Sequence, residues 1–235
     1  MPAWLLFFIV PLVFGLWAQH WVKSSFAKWS QVPANSGTGA DVASRILAAN
    51  GLSAGVGSAG GGRSVVSISI TPGQLSDHYD PRDRSLHLSQ DVGQATSVAS
   101  VAVAAHEVGH ALQHAKGSAF FSFRSVLARP VAIASQLWYL PLLGGIFLRQ
   151  TNWIAFALIL YALVVLFHVV TLPVELDASR RALKQLDSLG ITSDPQVKAG
   201  ARNVLSAAAM TYVAAALASL AQLAYFALAF LGNRN

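Results

Sequence analysis

Apolar residues run in four long blocks along this chain, and polar residues collect between the blocks. The first block, Pro2 to Val22, is interrupted only by Gln19 and His20. About 20 such residues suffice to cross the hydrocarbon core of a bilayer, which predicts a first transmembrane helix over residues 1–22. Trp4, Trp17 and Trp21 are placed as interfacial anchors. A cleaved signal peptide is the competing reading. The stretch has no basic leading region, its apolar run is long and no small-x-small site follows, so a retained helix is expected. Val131 to Leu148 and Trp153 to Leu172 predict the second and third spans, together residues 131–172. Pro141 and Gly144-Gly145 interrupt the second block, leaving a re-entrant element as the alternative to a full span. Ala207 to Leu231 predicts a fourth span, within residues 207–235.

Between the first two spans, over residues 23–130, the pattern shortens. Lys23 to Asn35 reads as a polar connector. Thr38 to Asn50 predicts an amphipathic helix with Val42, Ile46 and Leu47 on one face and Gly51 as its stop. Ser53 to Arg63 is rich in Gly, Ser and Ala and reads as a loop. Val65 to Ile70 is β-branched and partly alternating, so it predicts a strand. Asp77 to Pro81 reads as a turn, and Leu86 to Leu88 as a second short strand. Ala95 to Ala115 predicts a proline-free helix, with Gly117 at its C-terminal end. Ser118 to Arg129 is expected to be a linker. The fold class is therefore a mainly α integral membrane protein of about four transmembrane helices. It carries a small α+β unit at 23–130 and a polar segment at 173–206.

Composition agrees with this picture. The chain is 54% hydrophobic and 11% charged, where a soluble domain carries about 25% charged residues. Its mean hydropathy is +0.51. The net charge of +6 does not indicate nucleic acid, because the basic residues are scattered between apolar blocks instead of clustering with aromatics. Their distribution instead sets an orientation. Lys23, Lys28, Arg45, Arg63, Arg82, Arg84, Lys116, Arg124 and Arg129 lie between spans one and two. Arg180, Arg181, Lys184, Lys198 and Arg202 lie between spans three and four, and only Arg149 and Arg234 fall on the other side. By the positive-inside rule both basic regions are cytoplasmic. With no cysteine, disulfides, thiolate metal ligands and a thiol nucleophile are excluded.

The candidate chemistry lies in the helix at 95–115, at His106-Glu107-Val108-Gly109-His110. Residues four apart on a helix lie about 40° apart around the axis, so both imidazoles share one face, suited to a single zinc ion. Glu107 is placed to act as general base toward water. An otherwise uncharged apolar helix has little other reason to carry this group. A zinc site that keeps one position for water needs a third protein ligand. Glu175 is the only other glutamate and follows the third span on the same side. Asp177 lies about 200° from it on a helix and is not expected to share its metal. Glu175 is therefore the chosen ligand, with Asp177 and Arg180 as candidate supporting partners.

The runs VAVAAHEVGHALQ, DHYDP with LHLS, and LPVELDASRRAL occur in that order between about Thr38 and Ala182. Together they resemble the YugP-like neutral zinc metallopeptidases of bacterial membranes. They are similar more loosely to the heat-shock membrane zinc proteases. The resemblance implies a gluzincin-like zinc endopeptidase with one Zn2+ on His106, His110 and Glu175, Glu107 as catalytic base, and a zincin-like character for the unit that the basic residues place in the cytoplasm. It implies a bacterial inner-membrane location, and protein or peptide substrates. The alternative is a non-catalytic membrane scaffold with a structural metal site.

The other histidines carry separate expectations. His114, one turn after His110, is a rim or supporting residue, and an extra ligand as the alternative. His78 and Tyr79 lie in a turn capped by Asp77 and Asp80, or stabilise an oxyanion. His87 faces away from Leu86 and Leu88. His168, inside the third span, bonds a neighbouring helix or stands near the metal.

Overall fold

The computed structural model describes residues 4–56 and 64–232. It is mostly helical and carries four helical segments long and apolar enough to cross a membrane: Leu5–Trp29, Ala119–Phe147, Thr151–Ser188 and Pro195–Gly232. A small mixed sheet accompanies them. Helix α1 is Trp4–Trp29, α2 is Gly39–Ala49, and strands β1 and β2 are Ser53–Val56 and Val65–Thr71. Strands β3 (His78–Asp80) and β4 (Ser85–Ser89) follow, then α3 (Gln90–Gly93) and α4 (Val98–Ala115). The chain closes with α5 (Ala119–Leu137), α6 (Tyr139–Phe147), α7 (Thr151–Ser188) and α8 (Pro195–Gly232). Arg63 and Arg234 of the orientation argument, the expected loop from 57 onward and the first residues of the first span lie outside the described residues.

Two compact units divide the chain. The first takes in Met1–Gln19, Ser122–Pro173 and Met210–Asn235. Its packed centre is Val131, Ala134, Tyr161, Val164 and Val165, with Trp138 against it. The Tyr161 hydroxyl donates to the Gln222 side-chain carbonyl. The second unit takes in His20–Phe121 and Val174–Ala209. Its sheet runs β1-β2-β4-β3, with β1–β2 and β2–β4 parallel and β3–β4 antiparallel. Leu86 and Leu88 turn from β4 into a core shared with Val42, Ile46 and Leu47 of α2 and Val98 and Val101 of α4. The period of two in β4 and the one-sided apolar stripe of α2 produce this directly. A capping box between Thr38 and Asp41 starts α2 where the sequence expects it.

Several expected boundaries move. Helix α1 continues seven residues past Val22 into the expected connector. Nothing in that stretch breaks a helix, and Ser25 Oγ and Trp29 Nε1 donate to Asn203 Oδ1 at 2.7 and 3.1 Å. The expected loop begins instead as β1, in register with β2 from Ser53 opposite Val65. The expected Asp77–Pro81 turn contains β3, because pairing with β4 satisfies its backbone and Arg84 makes the reversal at φ +57°. The linker at 118–129 is helical. Gly117, at φ +65°, ends α4, and α5 then runs through Pro130 to Leu137. The expected second span is thus the end of α5 plus α6. The break falls at Trp138, and Pro141 sits in the first turn of α6, where its missing N–H costs little. Helix α7 continues through Pro173 to Ser188, and α8 starts twelve residues before Ala207. The latter start was readable in Asp194-Pro195: Asp194 Oδ1 accepts from Gln196 N at 2.7 Å, and proline suits the first helical position.

Candidate metal centre

Helix α4 begins where the Ser97 hydroxyl accepts from Ser100 N at 3.1 Å. It is rich in Ala and Val and buried along most of its length, against α2 and the sheet. The rings of His106 and His110 leave the same face one turn apart, with centroids 4.8 Å apart at 85°.

Glu175 meets them from α7 because the two backbones come unusually close. A Cβ at Gly109 would stand 2.6 Å from the Ala178 carbonyl oxygen and 3.1 Å from its carbon. Only glycine at 109 permits that approach, and it brings the Glu175 turn level with both imidazoles. His106 Nε2 lies 3.1 Å from Glu175 Oε2, and His110 Nε2 lies 3.4 Å from the same oxygen. Donor atoms from all three residues fall within 4.8 Å of one another, so the group could hold a metal ion. A tetrahedral zinc with bonds of about 2.0–2.1 Å spaces its ligands about 3.4 Å apart, and the two imidazole-to-carboxylate separations are of that size.

Each imidazole is also held from behind. Gln113 Oε1 is 3.0 Å from His110 Nδ1, and Ser179 Oγ is 3.2 Å from His106 Nδ1. Gln113 Nε2 donates to Val174 O and to Asp177 Oδ2, both at 2.8 Å. Arg181 Nε donates to that Asp177 oxygen at 2.7 Å. Asp177 therefore reaches His110 through Gln113, and its ion-pair partner is Arg181. Gln113 and Ser179 were missed by the sequence reading. A signal for each exists, since Gln113 is three residues after His110 and Ser179 four after Glu175, on the faces those residues define.

Glu107 is buried beside His106, and burial pushes its carboxyl up to about 7. The neighbouring Glu175 adds to the rise, and His106 opposes it. Strand β3 packs against α4 at the sheet edge. From β3, the Tyr79 hydroxyl lies 2.8 Å from His114 Nδ1, and both rings pack near Phe121. Burial lowers the His114 imidazole and raises the Tyr79 hydroxyl to about 12. His114 is thus committed to Tyr79, and is not among the grouped metal donors. His78 stacks on His87 at 4.6 Å, and its Nδ1 lies 2.8 Å from Ser76 O. His87 does face away from Leu86 and Leu88, between the hydroxyls of Ser69 and Ser85. His168 belongs to the first unit, and its buried Nδ1 has no hydrogen-bond partner among the described residues.

Two histidines and one glutamate are a donor set that catalytic zinc sites use, and here they stand in a chain with four helices long and apolar enough to cross a membrane. The chain belongs to the family described as "Putative neutral zinc metallopeptidase", which matches residues 4–231. It is 42% identical over 230 residues to the "Putative membrane protease YugP" of Bacillus subtilis (strain 168), covering 97% of this chain and 96% of that one. No solved structure matches it.

Proposed function

We propose that this chain is a zinc-dependent endopeptidase of a bacterial inner membrane, hydrolysing peptide bonds of protein substrates with Glu107 as general base. The observation that carries the reading is the convergence of two imidazole Nε2 atoms on the Glu175 carboxylate, with the buried Glu107 next along α4. Three protein donors suit a catalytic site, which keeps a position for water or substrate, better than a closed structural site of four. His106, His110 and Glu175 would hold the ion. When bound, zinc supplies Lewis-acid polarisation of the scissile carbonyl and makes water a stronger acid.

Glu107 takes a proton from the attacking water as it adds to the carbonyl carbon, and delivers that proton to the leaving nitrogen. Burial makes its carboxylate a stronger base than a solvated glutamate, and a cation nearby acts in the opposite sense. Strand β3 offers backbone groups at the sheet edge beside α4, where an extended peptide can pair. The basic residues that flank the site in sequence support a cytoplasmic placement.

The test uses the full-length protein in detergent and an unstructured protein such as casein. Zinc content and cleavage are measured together, before and after chelation and after zinc is restored. Glu107→Gln is expected to lose about 10²- to 10⁴-fold in cleavage while keeping its zinc. Normal turnover in that variant overturns the base assignment. Tightly held zinc with no cleavage by the parent protein favours the structural-site alternative.

A further inference from the structure

Gln113 is fully buried and touches the site through one end of its amide only. The orientation of that amide follows from its partners. Val174 O and Asp177 Oδ2, each 2.8 Å from one end, are acceptors without a proton to give, so that end is the NH2 group. A reversed amide would set its oxygen against a carbonyl and a carboxylate. The carbonyl oxygen of Gln113 therefore faces His110 Nδ1 at 3.0 Å. A carbonyl only accepts, so Nδ1 carries the proton. Neutral imidazole protonated at Nδ1 has its lone pair on Nε2, the nitrogen 3.4 Å from Glu175.

His106 is held differently. The Ser179 hydroxyl at its Nδ1 can donate or accept, and so imposes neither tautomer.

We propose that Gln113 is a positioning residue that selects the metal-binding tautomer of His110, and that Asp177 holds Gln113 in the selecting orientation. The inference rests on reading His106, His110 and Glu175 as metal ligands. Arg181 completes the chain by donating to the Asp177 oxygen that Gln113 also uses. A partly exposed ion pair thereby controls a buried ligand from which it is separated by one amide. If Gln113 cannot accept, His110 is free to carry its proton on Nε2, which must leave before that nitrogen can ligate, and the ring loses its fixed direction.

The experiment is a double-mutant cycle on zinc affinity, measured on full-length protein in detergent by competition with a chromophoric chelator. Gln113→Leu is expected to weaken zinc by about 10- to 100-fold. Asp177→Ala, at a residue outside the grouped donors, is expected to weaken it by about threefold to tenfold. Combining the two is expected to cost no more than Gln113→Leu alone, because Asp177 acts only through Gln113. Ring 15N spectra of histidine-labelled, zinc-loaded protein supply a signature that a packing defect does not mimic. The Nδ1–H signal, assigned by its loss in His110→Ala, is expected to be protected from exchange in the parent and unprotected in Gln113→Leu.

Unchanged affinity in Asp177→Ala overturns the proposal, as do fully additive losses in the double variant. If Gln113→Leu does not fold, Asp177→Ala decides alone. Parent zinc affinity that His110→Ala leaves intact removes the metal-site reading and this proposal with it. A normal His110→Ala loss with an unaffected Asp177→Ala removes this proposal alone.

Discussion

Leu75, in the second unit, is 47% exposed, and Ile133, in the first, is 62% exposed. Their surroundings in the pattern differ. Ile70, Leu75 and Phe120 are the large apolar side chains left exposed in the second unit among the described residues. In the first unit exposure of such residues is the rule, from Leu6, Ile9 and Val10 through Phe147 and Ile159 to Leu228. Buried polar groups differ as well. In the second unit the buried His110 and Gln113 are linked by hydrogen bonds to the partly exposed Asp177, while in the first His168 Nδ1 is buried without a partner among the described residues. Exposure thus carries no fixed meaning. Facing water, an apolar side chain is a minor feature, and facing hydrocarbon it is what the surroundings require.

Four substitutions test that contrast, and the largest effect is expected in the core of the second unit. Leu86→Ala, at a fully buried position in β4, is expected to destabilise the second unit by about 2–5 kcal/mol. Chemical denaturation would reveal this, and a loss under 1 kcal/mol would mean the sheet does not pack as described. Ile133→Arg is expected to cost about 2.5–3.5 kcal/mol of membrane insertion, read in a translocon insertion assay. An unaffected insertion would show that this face meets water. Gly109→Ala is expected to cost about 1–3 kcal/mol, because the added methyl meets the backbone of Ala178. It should also lower zinc content, and a variant with normal melting and full zinc would refute the close approach. Leu75→Arg is expected to shift stability by no more than about 0.5 kcal/mol, the range of ordinary surface changes. That result beside Ile133→Arg would show that an exposed apolar side chain has different consequences in the two units.

Much of the fold was legible because it is local. The apolar stripe of α2, the alternation in β4 and the Val/Ala run of α4 each state their own period. Less legible were the ends of helices. The continuation of α1, α5 and α7 past the expected boundaries depends on what their polar extensions meet, as Trp29 meets Asn203. Strands β1 and β3 were hidden for a related reason: four and three residues are too few for a period, and they are strands because β2 and β4 supply partners. At the site, His106, Glu107 and His110 were readable from spacing along one helix. Glu175 was reachable only by elimination among a few carboxylates.

The amino-acid sequence determined by itself that apolar blocks of membrane length would alternate with polar stretches, and that two imidazoles and a glutamate would share one short segment of helix. Both follow from the periods of side chains along a single element. Tertiary structure alone decided that Gly109 would let α4 touch the backbone of α7 at Ala178, that Glu175 would thereby meet both imidazoles, and that Gln113 would stand between His110 and Asp177. The hydrogen bonds of Val174, Glu175 and Asp177 with α4 join residues 61 to 69 positions apart, and only packing brings such residues within hydrogen-bonding distance.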